Sequence, residues 1–165
     1  QASSKEESAA NYVSDAKTEE DITLAKMVEM GTETLGSEEP FFIMCEGGTI
    51  DWAAHDNRTM SMVNDVITFD KAIKVAYEFY LKHKDETLII VTADHETGKL
   101  TPDGDTIKYH SENHSPADVP IFAYGVGAEL FNEVTIENVQ IPKTIAKFWG
   151  KEDFGDTSSP FPALN

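Results

Sequence analysis

The side chains with the clearest chemical potential lie in three short clusters. Glu46 precedes Gly47-Gly48, and Asp51 and His55 follow at a spacing of i to i+4. Asp94 and His95 are adjacent just beyond the β-branched run TLIIV. His110 and His114 share a polar stretch some fifteen to twenty residues later. On a helix the i to i+4 spacing puts Asp51 and His55 on one face, where a carboxylate and an imidazole can share a cation. In a turn after a strand, Asp94 and His95 can converge on one site rather than alternate. A mixed nitrogen and oxygen donor set suits zinc, whereas an all-oxygen site around Glu46 suits magnesium. His83, in KHKDE at an expected helix end, reads as structural, because a cation there favours the helix dipole. Position alone does not choose between His110 and His114.

These clusters need elements to carry them. Ile22, Ala25, Val28 and Leu35, with Met27 and Met30, recur at helical spacing, and Gly36 sits where a helix stops. PFFIMC (40–45) is a continuous apolar run that reads as a strand buried on both faces and delivering Glu46. The two glycines then let the chain turn sharply into a long helix over about 52–83. Its expected buried face carries Val63, Val66, Ile67, Ile73, Ala76, Tyr77 and Tyr80. TLIIV (87–91) and VPIFAYG (119–125) read as strands, with a turn at Pro102-Asp103-Gly104 and a small hairpin around it. A last helix is expected over about Ile141 to Trp149, with Asn138 as a nearby cap and Gly150 as a stop. This order predicts an α/β fold with a mainly parallel sheet flanked by helices. Ligands of such sheets bind beyond the carboxyl ends of the strands, where the first two clusters fall, while His110 and His114 lie in the loop before strand 119–125.

Composition narrows the function classes. The chain has 165 residues, 13 Lys+Arg against 30 Asp+Glu and a formal net charge of −17, which disfavours binding to a phosphate backbone through a basic face. At 40% hydrophobic it can bury a core, so wholesale disorder is excluded. The single cysteine, Cys45, rules out an internal disulfide framework or a multi-cysteine zinc site. No apolar run is long enough for a membrane span. Residues 1–20 read as a flexible arm, 21–150 as one domain and 151–165 as an irregular tail. Gln1 in place of Met gives the expectation that an upstream segment was removed.

FFIMCEGGTIDWAAH, TLIIVTADHETG and HSPADVPIFAYG, in this order and spacing, resemble the C-terminal part of the alkaline phosphatase family, over about Ile22 to Gly150. The resemblance implies a partial alkaline phosphatase-like core and a phosphomonoesterase that works through a phosphoserine intermediate. It implies two zinc ions and one magnesium, with Glu46 on the magnesium, Asp51 and His55 on one zinc, and Asp94 with His95 facing the other. His114 is favoured over His110, because the family's histidine ligand lies in a His-Thr-Gly unit shortly before such a strand. Here that unit reads His114-Ser115-Pro116, which keeps the hydroxyl and loses the glycine. Trp52 stands where some relatives carry lysine or histidine near the phosphate, so phosphate contacts there are expected to differ.

The family's nucleophilic serine, in an Asp-Ser-Ala segment, has no counterpart in the sequence, and Ser8-Ala9-Ala10 is only a faint echo of it. Arg58, the only arginine, lies one helical turn beyond His55 and reads as a surface or packing residue. The chain is therefore expected to supply metal ligands and no catalytic nucleophile, and to be inactive alone. A periplasmic or secreted home, self-association into a homo-oligomer and phosphate monoesters as substrate complete the expectation. Two rival readings are a cofactor-independent phosphoglycerate mutase or phosphodiesterase relative, and a non-catalytic metal-binding module.

Overall fold

The computed structural model describes residues 22–36, 38–132 and 135–155. The expected arm at 1–20, the Ser8-Ala9-Ala10 segment within it, and the tail beyond 155 lie outside the described residues.

The first helix, α1 (Leu24–Leu35), starts where Thr23 accepts a hydrogen bond from the Lys26 amide at 3.2 Å and stops at Gly36, as the sequence predicts. A side-chain cap of this kind is worth about 1 kcal/mol. The chain then runs through 40–45, where the sequence predicts a buried strand. No ladder forms there: Phe41 and Ile43 are half-buried, while Phe42, Met44 and Cys45 are exposed. A strand is defined by its hydrogen-bonded neighbour, and among the described residues this segment has none, so apolar content alone does not make it one.

The single helix expected over 52–83 is two helices, α2 (Thr49–His55) and α3 (Thr59–Lys82). The break follows from Asn57, which adopts φ 56°, a left-handed conformation that Asn tolerates better than most residues. The Asn57 and Arg58 amides fold back on the Ala54 and Ala53 carbonyls at 3.1 and 2.8 Å and close off α2. The expected apolar face of α3 is only partly covered. Of it, Ile73, Ala76 and Tyr80 are half-buried and Val63, Val66, Ile67 and Tyr77 are exposed, while the buried apolar residues of the helix are Met62 and Ala72, outside the expected face. Ala53, Ala54 and Met62 form the tightest part of the core, with Ile50, Leu100, Ile107 and Tyr109 packed against it. Gly47 permits the approach of α2 to α3, because a Cβ there would lie 2.9 Å from the Phe69 ring. Its value is this close approach, and neither glycine of the pair adopts positive φ.

The sheet topology corrects the expected parallel arrangement. Strand β1 (Leu88–Thr92) pairs antiparallel with β6 (Ile121–Gly125), from Leu88 opposite Gly125 to Thr92 opposite Ile121. Between them the chain makes two further small antiparallel pairs. One is β2 (Glu96–Thr97) with β5 (His114–Ser115), and the other is the hairpin β3 (Thr101–Asp103) with β4 (Thr106–Lys108). A parallel return needs a crossover, usually helical, and residues 93–120 contain no helix; they double back through the hairpin instead. The predicted turn at Pro102-Asp103-Gly104 is the tip of that hairpin. After a short 3-10 turn (Ala128–Phe131), the last helix, α4, covers Gln140–Lys147, shorter than the expected Ile141 to Trp149. Asn138 does not cap it; its side-chain amide donates to the Asp94 carbonyl at 2.8 Å.

Candidate metal centre

The site is assembled by α2, the bend after β1, and the short β2–β5 pair. Gly48 starts α2, Asp51 falls in its first turn and His55 at its last residue. The carboxylate is favoured at the N-terminal end by the helix dipole. The i to i+4 geometry is realised, with His55 Nε2 3.2 Å from Asp51 Oδ1.

His114 reaches the same oxygen from β5. Its Nε2 lies 3.4 Å from Asp51 Oδ1 and 3.0 Å from His55 Nε2. His55 Nδ1 is 2.5 Å from the Glu112 carbonyl, so this nitrogen carries the proton and Nε2 keeps its lone pair for the cluster. The β2–β5 register sets Thr97 opposite His114 and brings the His95 and His114 rings into a stack with centroids 3.5 Å apart. Asp51, His95 and His114 each offer a donor atom within 4.8 Å of the others. Asp94 is largely exposed and lies beside His95, with Oδ2 3.4 Å from Nε2.

The structure therefore brings Asp51, His55, Asp94, His95 and His114 into one neighbourhood. Glu46 is exposed, its carboxylate lying over Gly48. His110 is turned into the hairpin, where Nε2 meets Thr101 Oγ1 at 2.9 Å. His83 stacks on Phe79 and pairs with Glu86 at 2.8 Å at the end of α3, consistent with a structural role.

The small β2–β5 pair is reinforced by its own side chains. The Ser115 hydroxyl donates to Glu96, and the Leu100 amide donates to the same carboxylate at 3.2 Å. The Ser115 bond, first, and the nearby backbone amides hold the Glu96 carboxyl below its ordinary range. Thr97 is the participant that the sequence reading passed over. It is buried, and its hydroxyl donates to Asp51 Oδ1 at 2.5 Å. Its signal was available in principle: in extended chain, residues 95 and 97 lie on the same face.

Imidazole nitrogens and a carboxylate, converging from a helix and a strand pair, define a candidate metal centre in an α/β unit. A family model described as alkaline phosphatase matches residues 6–110. The chain is 44% identical over 89 residues to alkaline phosphatase 4 of Bacillus subtilis, covering 53% of this chain and 18% of that protein. It is 36% identical over 134 residues to alkaline phosphatase 3 of the same organism, covering 80% and 27%. Among solved structures, a variant of TAB5 alkaline phosphatase with magnesium in its M3 site superposes with a TM-score of 0.63 at 31% identity, covering 73% of this chain and 38% of that one. The chain belongs to the alkaline phosphatase family, and its fold is alkaline phosphatase-like. It spans about a fifth to a quarter of the length of these two Bacillus relatives.

Proposed function

We propose that this chain is the C-terminal, metal-ligand-bearing portion of a phosphomonoesterase of the alkaline phosphatase type, which in the intact protein hydrolyses phosphate monoesters through a phosphoserine intermediate. The observation that carries the reading is the meeting of His55 Nε2 and His114 Nε2 at one Asp51 oxygen. In it Asp51, His55 and His114 hold one zinc, Asp94 and His95 the second, and Glu46 a magnesium. The donor types fit: zinc accepts mixed nitrogen and oxygen ligands, and magnesium takes one or two carboxylates while keeping several waters. Cations bound there would polarise the phosphoryl oxygens and make a serine hydroxyl, and then water, nucleophilic near neutral pH. The chain's own contribution is to orient the donors, with the Glu112 carbonyl fixing the His55 tautomer. A periplasmic or secreted setting belongs to the same reading, and no described helix is long and apolar enough to cross a membrane. Family membership favours this reading over a phosphoglycerate mutase relative.

Since the sequence contains no Asp-Ser-Ala segment, the pure chain is expected to turn over a chromogenic phosphate ester negligibly, even with zinc and magnesium supplied. Robust turnover that Asp51→Ala abolishes would overturn the assignment of the nucleophile to another part of the protein.

Self-association is the second expectation. Phe41, Ile43, Phe79, Ile89, Phe148 and Trp149 line an open, largely apolar groove of about 560 Å³. Phe122 and Tyr124 are exposed on β6. Apolar surface of this extent, and strand edges that are unpaired among the described residues, favour association. Light scattering should give a mass above the 18.3 kDa of one chain. A monomeric mass throughout the micromolar range would sink the expectation.

A further inference from the structure

We propose that Thr97 is a positioning residue that fixes the tautomer of His95 and the orientation of Asp51 at once; this rests on the metal-site reading above. The Thr97 hydroxyl lies 2.5 Å from Asp51 Oδ1 and 3.2 Å from His95 Nδ1. The side chain is buried, so these two groups stand in for the water the hydroxyl would otherwise meet.

Proton counting sets the direction of both bonds. An ionised carboxylate only accepts, so the single hydroxyl proton goes to Asp51. The oxygen then has only acceptor capacity left, and the His95 contact requires Nδ1–H to donate to it. A neutral His95 held this way carries its proton on Nδ1 and leaves Nε2 bare. The competing tautomer would put the proton on Nε2, where Asp94 Oδ2 waits at 3.4 Å. The Thr97 contact has hydrogen-bond geometry at a buried side chain, whereas the Asp94 carboxylate is solvent-exposed and only at ion-pair distance; the first arrangement is favoured, and Nε2 is the nitrogen left available for a cation. One hydroxyl thereby ties a donor on α2 to a donor beyond β1. The strand pair is also held by the Ser115–Glu96 bond and by the Gly98 amide on the Asn113 carbonyl, so the Thr97 side chain is not its sole support.

The test compares Thr97→Val, which keeps the shape and loses the hydroxyl, with Thr97→Ser, which keeps the hydroxyl. Thr97→Ala serves as a second hydroxyl-free variant should Thr97→Val lose its far-ultraviolet circular dichroism. The first readout uses no metal. Long-range proton–nitrogen spectra of the histidine rings of the folded, metal-free chain should show His95 protonated on Nδ1 in the parent and in Thr97→Ser. The hydroxyl-free variants should shift His95 towards the Nε2–H form. The second readout is zinc affinity by chelator competition, expected to fall about 10–100-fold in the hydroxyl-free variants and to stay within about threefold in Thr97→Ser. An unchanged His95 tautomer in a folded hydroxyl-free variant overturns the proposal. So does an unchanged zinc affinity in that variant. A parent chain that takes up no zinc counts against the metal-site reading instead, and the tautomer measurement then decides the role of Thr97 alone.

Discussion

Replacing Asp51 with Ala should remove measurable zinc binding, a loss larger than the roughly 100-fold that deleting an outer hydrogen-bond partner costs. The size follows from the position of a single atom. Asp51 Oδ1 lies 3.2 Å from His55 Nε2 and 3.4 Å from His114 Nε2, and it accepts the Thr97 hydroxyl. On the proposed metal-site reading, its removal takes away a ligand, the negative charge that would compensate a dication, and the anchor of Thr97 together. Asp51→Asn keeps an oxygen in place but lowers the charge, so it should fall between the parent and the Ala variant. His110→Ala supplies the contrast and should leave binding unchanged, because His110 is engaged with Thr101 in the hairpin. Calorimetric zinc titration of the four proteins checks the order. An Asp51→Ala chain that binds zinc within about threefold of the parent would remove Asp51 from the centre.

The largest effect on stability is expected at Gly125, the last residue of β6. Its φ of 104° is one that L side chains rarely adopt, and a Cβ there would lie 2.1 Å from the Thr87 carbonyl oxygen. That oxygen cannot simply move aside, because it accepts the Val126 amide at 3.0 Å immediately before β1 begins. Gly125→Ala therefore combines backbone strain with a collision against fixed main chain, and should cost upwards of about 2 kcal/mol. Gly104 separates the two contributions. It has φ 62° at the hairpin tip with open space around it, so Gly104→Ala carries only the conformational cost, about 1 kcal/mol. Urea unfolding followed by circular dichroism should show a clearly larger fall in midpoint for Gly125→Ala. Equal shifts for the two variants would mean that the contact with Thr87 contributes nothing.

What could be read from the sequence depended on how local its cause was. Asp51 and His55 were legible because helical spacing alone puts them on one face, and α1 was legible because its periodicity and Gly36 agree. Choosing His114 over His110 depends on the pairing of Thr97 with His114, a long-range register that spacing does not encode and that only family resemblance supplied. The β1–β6 direction was missed for a related reason. Of the reversals between those strands, only the turn at Pro102-Asp103-Gly104 announces itself in residue types. PFFIMC was misread because an apolar run has strand content without specifying a neighbour, and the split between α2 and α3 turned on one left-handed asparagine. Thr97 escaped notice because a threonine in an extended stretch is ordinary until its burial and its two partners are known.

The β2–β5 ladder is only two residues long, yet it carries His114 to the cluster. Short ladders of this kind open in local fluctuations at a free energy well below that of global unfolding. Residence of His114 beside Asp51 is therefore governed by a local opening equilibrium, while Asp51 and His55, on α2, stay on one face throughout. The three donors thus divide into a standing pair and a returning third. The contacts that return His114 to its place are the clip between Glu96 and Ser115, the Gly98 amide on the Asn113 carbonyl and the Glu112 carbonyl beside His55.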